Sequence, residues 1–131
     1  MKKKILIVDD ESSARFLLEL MLKKHYQVES AFSSASMLEC ISRDHFDLIL
    51  MDINLGKADS GINALTKLRK FEEYKNTPVM AVTAHAFNSD KNRLLNLGFN
   101  EYIAKPFEKD ELISLIEKVL SVEPIQQHKT S

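Results

Sequence analysis

The sequence is short of the features that mark secreted, membrane-spanning and nucleic-acid-binding proteins. It has a single cysteine, Cys40, so no disulfide can form within the chain, and a lone thiol suits a reducing compartment. No apolar run approaches the ~18 residues that a membrane span needs. Lysine and arginine total 18 against 19 acidic residues, which leaves no basic footprint for nucleic acid. These shortages predict a cytoplasmic protein with neither a membrane nor a nucleic-acid partner.

Glycine is also scarce, with three in 131 residues, and none directly follows the first predicted strand. A dinucleotide-binding fold needs a glycine-rich turn there, so that class is excluded. The N-terminus, MKKKILIVDDE, starts like a signal peptide, but its apolar run ILIV is shorter than the ~7 residues of such a segment. The length and the 44% hydrophobic content suit one domain, which we expect at 1–122, with a flexible tail at 123–131.

Five predicted strands alternate with five predicted helices along the chain. Short apolar runs indicate strands, and apolar residues at three- and four-residue steps indicate helices. The strands are expected at 4–8, 26–32, 46–51, 78–84 and 101–105, and the helices at 11–25, 34–44, 61–74, 89–98 and 109–120. The alternation predicts an α/β fold with a five-stranded parallel sheet, doubly wound as (βα)5, and helices on both faces.

The helical periodicity also predicts which side chains face the core. The expected core residues are Phe16, Leu20, Leu65, Leu68, Leu94, Leu112, Leu115 and Ile116. Cys40 and the methionines at 21, 37, 51 and 80 are expected to fill gaps in that core.

Charged or hydroxyl side chains end or directly follow four of the five predicted strands. Asp9 and Asp10 follow the first strand, Asp52 the third, Thr83 lies at the end of the fourth and Lys105 at the end of the fifth. Each of these alone is typical of a turn or a helix cap. Because parallel strands end at the same edge of a sheet, the combination predicts a functional site at that edge.

The charges of this set predict a metal. Three carboxylates in a small space repel one another, and one lysine does not balance them. Oxygen ligands, with no histidine or cysteine close to the acids, favour Mg²⁺. A carboxylate beside Mg²⁺ can act as a nucleophile and form an aspartyl phosphate. Phosphoryl transfer needs little beyond alignment and charge neutralisation, which a metal, Lys105 and Thr83 would supply.

Four segments, ILIVDDE, FDLILMDINL, VMAVTAHA and YIAKPF, resemble response-regulator receiver domains, the CheY-like family of two-component signalling. The resemblance extends over about residues 3–120. It implies a flavodoxin-like sheet with strand order 2-1-3-4-5. It also implies a domain that takes a phosphoryl group from a histidine kinase or a histidine phosphotransfer protein. Such a domain is not an enzyme beyond self-catalysed phosphotransfer and slow autodephosphorylation.

The resemblance assigns the reactive and metal-binding roles. Asp52 is implied to be the phosphoacceptor, and Lys105 to pair with a phosphoryl oxygen. Asp10 and Asp52 are implied to ligate Mg²⁺ directly, with Asp9 acting through water. The backbone carbonyl of Asn54 is implied to complete the ligands from the protein.

The resemblance also implies a conformational switch. Thr83 resembles the hydroxyl residue that bonds the phosphoryl group, and Tyr102 lies at the aromatic switch position. Movement of this pair would change the surface formed by residues 86–120, through which a downstream protein target would be contacted. Monomer and weak dimer both remain open.

Further positions near the site follow the family pattern with one departure. Ala84 keeps the small side chain expected after Thr83, and Pro106 follows Lys105, with a cis bond expected. Asn54 and His85 occupy the positions that tune phosphate loss. The segment DINLGKADSG departs from the pattern, because it lacks the usual proline and makes the loop one residue longer.

Three alternatives stay open. The first is the receiver module of a hybrid sensor kinase, which the segment AVTAHAF also resembles. The second is a Mg²⁺-dependent phosphohydrolase that uses an aspartyl phosphate, although Asn54 stands where that class needs a second acid. The third is a folded receiver that is never phosphorylated and serves only for docking. No DNA-binding domain follows residue 120, so the expected output is a contact with another protein.

Overall fold

Five apolar runs form the central parallel sheet, in a computed structural model that describes residues 2–56, 58–84 and 88–121, without the side chains of 88–90. The strands are β1 (Lys4–Val8), β2 (Gln27–Ala31), β3 (Leu48–Asp52), β4 (Val79–Thr83) and β5 (Glu101–Ala104). They lie in the order β2-β1-β3-β4-β5, and every neighbouring pair is parallel. This arrangement confirms the predicted fold class and strand order. The order reverses between β1 and β3, which opens a crevice at their carboxyl ends.

Helices cover both faces of the sheet because alternate strand residues point to opposite sides. The helices are α1 (Ser12–Leu22), α2 (Ser34–Arg43), α3 (Gly61–Leu68), α4 (Asn88–Asn96) and α5 (Lys109–Leu120). Leu6 and Val8 of β1 pack in a core shared with α2, α3 and α4. Ile5 and Ile7 pack in a second core with α1 and α5. β3 and β4 are buried along their whole length, as a sheet covered on both faces requires.

The prediction of a helix over 61–74 is wrong in its second half. α3 ends at Leu68, and a single 3₁₀ turn follows at Glu72–Tyr74. This turn buries the Tyr74 ring, whose hydroxyl accepts a hydrogen bond from the Phe46 N–H and donates one to the Asp44 carbonyl, both at 3.2 Å. The Arg69 guanidinium donates to the carbonyls of Tyr74 and Thr77 at 2.7 and 2.6 Å. The long-range contacts of Tyr74 with Phe46 and Asp44, together with the local ones of Arg69, override the helical period.

The side of α1 that faces the core also differs from the prediction. Phe16 and Leu20 were expected inside but are 62% and 42% exposed, whereas Leu18 and Leu22 are buried. α1 carries apolar residues around most of its circumference, so the periodicity admits more than one buried stripe. Leu18 and Leu22, one turn apart, form the stripe that contacts the sheet.

Most of the other core predictions are confirmed. Exposure is 2% or less at Leu65, Leu68, Leu94, Leu112 and Ile116, whereas Leu115 is only partly buried. Cys40 and the methionines at 37, 51 and 80 are buried, and Met21 is partly buried. Gly98 follows α4 with a φ of +113°, the conformation expected of a helix-ending glycine.

The domain end at 122 and the tail at 123–131 lie outside the described residues, so both stay predictions. No helix in the described part of the chain is long and apolar enough to cross a membrane.

Two leucines of α1, one buried and one exposed, give a matched test of which side of the helix faces the core. We expect Leu22→Ala to lower the free energy of unfolding by about 2–5 kcal/mol, because it removes a fully buried side chain. Leu20→Ala makes the same chemical change in the same helix at an exposed position and should cost about 0.5 kcal/mol or less. Urea denaturation followed by circular dichroism measures both. A larger loss for Leu20→Ala would contradict this orientation.

Candidate metal centre

Three carboxylates meet in the crevice at the carboxyl ends of β1 and β3. One carboxylate oxygen from each of Asp9, Asp10 and Asp52 lies within 4.8 Å of the others. Asp9 is 1% and Asp52 is 7% exposed, whereas Asp10 faces solvent. β1 and β3 are adjacent, with Val8 opposite Met51, so the residues that end or follow these strands are neighbours. The structure therefore brings together the three predicted acidic residues.

Lys105 reaches the same crevice from the end of β5. Its ammonium nitrogen lies 3.3 Å from Oδ2 of Asp9 and 3.3 Å from Oδ2 of Asp52. Burial opposes the charge of the ammonium, but attraction to Asp52 and Asp9 outweighs it and raises the pKa of Lys105. The peptide bond from Lys105 to Pro106 is cis, as the resemblance implied.

The buried carboxylates are oriented by backbone donors. The Asn54 N–H donates to Oδ1 of Asp52, and the Glu11 N–H donates to Oδ1 of Asp9, both at 3.0 Å. Arg15, on the first turns of α1, donates from Nη1 to the Asp9 carbonyl at 2.8 Å. Sequence reasoning missed Arg15, because a side chain that binds a backbone carbonyl leaves no motif.

The three carboxylates of the crevice outnumber its one lysine ammonium. Burial and, to a lesser extent, the charge of Asp9 raise the pKa of Asp52, while the Asn54 N–H and Lys105 act in the opposite direction. One ammonium thus leaves the carboxylates only partly compensated. Carboxylate and carbonyl oxygens are the donors that Mg²⁺ prefers, and an octahedral ion keeps several waters. The residues present therefore fit a divalent cation of this kind.

Thr83 ends the neighbouring strand β4 at the same edge, and Ala84 directly follows it. Asp52 pairs with Val82 in the β3–β4 register, so Thr83 lies one residue further toward the edge. The Thr83 side chain is buried and its carbonyl accepts from the Lys105 N–H at 2.7 Å, whereas Ala84 is exposed. His85, the second expected tuning position, lies outside the described residues.

Tyr102 lies within β5, an outermost strand of the sheet, two residues before that strand ends. It pairs with Ala81 in the β4–β5 register, two residues before Thr83, and is partly buried against the core shared with α2, α3 and α4. A buried hydroxyl residue and a half-buried aromatic ring thus lie close together on adjacent strands.

The β3–α3 loop returns tightly to the strand that it leaves. Asn54 and Ser60 form an isolated antiparallel bridge, and the Gly61 N–H donates to the Ile53 carbonyl at 2.8 Å. A Cβ at Gly61 would overlap the Asp52 carbonyl oxygen, so only glycine permits this approach. The two ends of this loop are thus held together.

Comparison with known proteins identifies a family and several relatives. The model of the response regulator receiver domain matches residues 5–117. The transcriptional regulatory protein DltR of Streptococcus agalactiae is 40% identical over 114 residues, which cover 86% of this chain and 50% of that protein. The chain thus spans about half the length of the curated relatives it matches.

Solved structures show the same architecture. The chemotaxis response regulator CheY4 of Vibrio cholerae superposes with a TM-score of 0.84 at 27% identity, over 91% of this chain and 99% of that one. The receiver domain of the sensor histidine kinase PA1611 of Pseudomonas aeruginosa superposes with a TM-score of 0.82 at 30% identity, over 93% and 100%. That domain was solved with a magnesium ion coordinated in its active site cleft.

The excess negative charge predicts opposite effects of one substitution with and without metal. In a chelator at neutral pH, Asp52→Asn should raise the melting temperature by a few degrees, because it removes a carboxylate that burial and Asp9 disfavour. With Mg²⁺ the wild type should instead have the higher melting temperature. Wild type should gain about 2.7 kcal/mol at a free Mg²⁺ concentration about 100 times Kd. Thermal unfolding at matched ionic strength measures both.

The pH dependence in chelator checks the cause. The folded-state pKa of Asp52 lies above its ordinary value of 3.8, so the folded protein holds this proton more tightly than the unfolded chain. Wild type should lose stability relative to Asp52→Asn as the pH rises from 3.8 through that folded-state pKa, and the difference should vanish at lower pH. A variant less stable than wild type at neutral pH without metal would contradict this account.

Proposed function

Because this chain belongs to the response regulator receiver domain family, we propose that it accepts a phosphoryl group on Asp52 from a histidine kinase or a histidine phosphotransfer protein. The observation that carries the proposal is the meeting of Asp9, Asp10, Asp52 and Lys105 in one crevice of the sheet edge. The family consists of signalling domains, and we do not propose that this domain turns over external substrates. The proposed place of action is the cytoplasm.

The proposed reaction transfers the phosphoryl group between two nucleophiles. An oxygen of Asp52 forms a bond to phosphorus while the bond from phosphorus to the donor histidine breaks, and the imidazole nitrogen keeps that electron pair. The Asn54 N–H already holds one oxygen of Asp52, and Lys105 lies at the other, where it can pair with the incoming phosphoryl oxygens.

In this proposal Asp10, Asp52 and the Asn54 carbonyl hold Mg²⁺, with Asp9 acting through a water. The bound ion would neutralise the phosphoryl oxygens and the carboxylates together. The raised pKa of Asp52 and the oxygen-only donors support this role.

The surface beside the site supports a protein as the phosphoryl donor. A groove of about 390 Å³ lies between α1 and the segment that follows β5, and Leu17, Met21, Lys105 and Phe107 contribute to its lining. Phe16 lies on the same helix and is exposed. An apolar patch beside a buried nucleophile suits a partner that must dock before its histidine can reach Asp52.

The proposed switch follows from the added charge. A phosphoryl group brings about −1.5 to −2 charge and strong acceptor oxygens, which the Thr83 hydroxyl and Lys105 can bind. Tyr102, two residues before Thr83 in the sheet register, can respond to movement of that residue. The response would shift a pre-existing equilibrium of the surface within residues 86–120 toward the form that binds its target.

We propose a protein contact as the output, whether the target is a separate chain or another domain of the same polypeptide. The relative DltR is named a transcriptional regulatory protein, and PA1611 is named a sensor histidine kinase. Similar sequences thus occur in both kinds of protein. The phosphohydrolase alternative has less support, because Asn54 offers no titratable group where that class needs an acid.

The direct test is phosphorylation by a small donor. With Mg²⁺ and acetyl phosphate we expect one phosphate per chain in an acid-stable, base-labile adduct, measured by intact mass. Asp52→Asn and chelation should both abolish the adduct, while Asp47→Asn, at the opposite edge of the sheet, should leave it unchanged. Sustained turnover of phosphoesters would instead favour the phosphohydrolase, and a folded wild type without adduct would favour a docking module.

Removal of the lysine gives a second test. With Mg²⁺ present, we expect Lys105→Ala to stay folded and to form the adduct about 100- to 1,000-fold more slowly, because one charged donor to the phosphoryl oxygens is lost. Lys118→Ala is the matched control, since Lys118 is 70% exposed and pairs only with Glu101 among the ion pairs of the described residues. If Lys105→Ala unfolds in Mg²⁺, the lysine is a structural ion-pair partner instead.

A further inference from the structure

The carboxylate of Asp59 joins the N-terminal ends of two helices. Its Oδ2 accepts from the Ser34 N–H at 2.8 Å, and its Oδ1 accepts from the Ser34 hydroxyl at 2.6 Å. Oδ1 also accepts from the Ser60 N–H at 2.9 Å and from the Asn63 amide at 3.2 Å. Asp59 belongs to the β3–α3 loop and Ser34 to the first turn of α2, 25 residues earlier. This Asp59–Ser34 contact ties the loop to a neighbouring helix.

Ordinary helix capping does not account for Asp59. Ser33 caps α2 by accepting from the Ser36 N–H, and Ser60 caps α3 by accepting from the Asn63 N–H. Burial disfavours the charge of Asp59, yet the hydrogen bonds from Ser34 and its neighbours hold the pKa of this carboxyl below its ordinary value. Asp59 therefore stays ionised and ties the β3–α3 loop to α2, whereas Ser33 and Ser60 supply the two helix caps.

The anchored end of the loop is bonded to the site. Ser60, next to Asp59, forms the antiparallel bridge with Asn54, and Gly61 donates to the Ile53 carbonyl. Asn54 in turn donates its N–H to the Asp52 carboxylate. A displacement of the loop at Asp59 would therefore be passed to Asn54 through this backbone pairing.

We infer that Asp59 is a positioning residue, whose contact with Ser34 holds the backbone of Asn54 where its carbonyl can bind the metal ion. The inference rests on the proposed function, because it concerns the metal site described there. Asp59 does not touch the carboxylate cluster. Its effect passes through Ser60 and Asn54, so loss of the contact should weaken metal binding before it harms the fold.

The test is the Mg²⁺ dissociation constant of the unphosphorylated protein, measured by calorimetric titration. We expect Asp59→Ala to raise Kd about 10-fold, at the low end of the loss caused by removing residues that orient metal ligands. Asp59→Asn keeps one oxygen that can accept from the Ser34 N–H. Its Kd should therefore lie between those of wild type and Asp59→Ala. Ser34→Ala removes only the hydroxyl donor and should have a smaller effect than Asp59→Ala.

Asp47→Ala is the matched control for stability. Asp47 accepts from the Lys4 N–H at 2.8 Å, so this change also removes a carboxylate bonded to a backbone N–H, but at the opposite edge of the sheet. It should lower the melting temperature without changing Kd for Mg²⁺. An unchanged Kd in folded Asp59→Ala, or an equal rise in Asp47→Ala, would overturn the inference.

The dependence of adduct formation on Mg²⁺ separates the two proposals. In Asp59→Ala, saturating Mg²⁺ should restore most of the wild-type rate with acetyl phosphate, because the reacting groups are intact. If wild type binds Mg²⁺ but forms no adduct, the phosphorylation proposal fails while the Kd comparison still decides the role of Asp59. If wild type forms the adduct and Asp59→Ala binds Mg²⁺ normally, the positioning role alone fails.

Discussion

Partly compensated negative charge at the carboxyl edge of the sheet is the constraint on which the rest of the structure depends. Asp9 and Asp52 are almost fully buried, Asp10 lies beside them, and Lys105 is the ammonium shared by the two buried carboxylates. Burial opposes the ionised form of a carboxylate, and a second carboxylate opposes it further. The fold keeps this costly arrangement at the edge of the sheet where Asp10 faces solvent, and where the proposed cation and phosphoryl group would enter.

The rest of the molecule holds that imbalance in place. Two apolar cores cover the faces of the sheet and fix the ends of β1 and β3 side by side. Backbone N–H groups of Glu11 and Asn54 orient the buried carboxylates, so few side-chain donors compete with an incoming ligand. Gly61 allows the β3–α3 loop to pass against the Asp52 carbonyl, and Asp59 ties that loop to α2. The surroundings of Asp52 are thus held largely by backbone contacts.

The predicted site residues came from positions that the strand rule determines locally. In a parallel sheet each strand ends at the same edge, so the residue after each apolar run could be assigned to the site before any contact was known. Helical periodicity, by contrast, was wrong for Phe16 and Leu20, because α1 is apolar on several sides and only packing against the sheet selects Leu18 and Leu22. It also extended α3 past Leu68, because the burial of Tyr74 depends on Phe46 and Asp44, far away in the chain.

The sequence by itself determined the alternation of strands and helices, the parallel sheet and the acids, hydroxyl and lysine at its edge, because period and strand ends are local properties of the chain. Tertiary structure decided which side of α1 is buried, that Arg15 binds the Asp9 carbonyl, and that Asp59 contacts Ser34. Each of these depends on residues that are brought together by folding. Their distance in space cannot be read from residue spacing or hydrophobic periodicity along the chain.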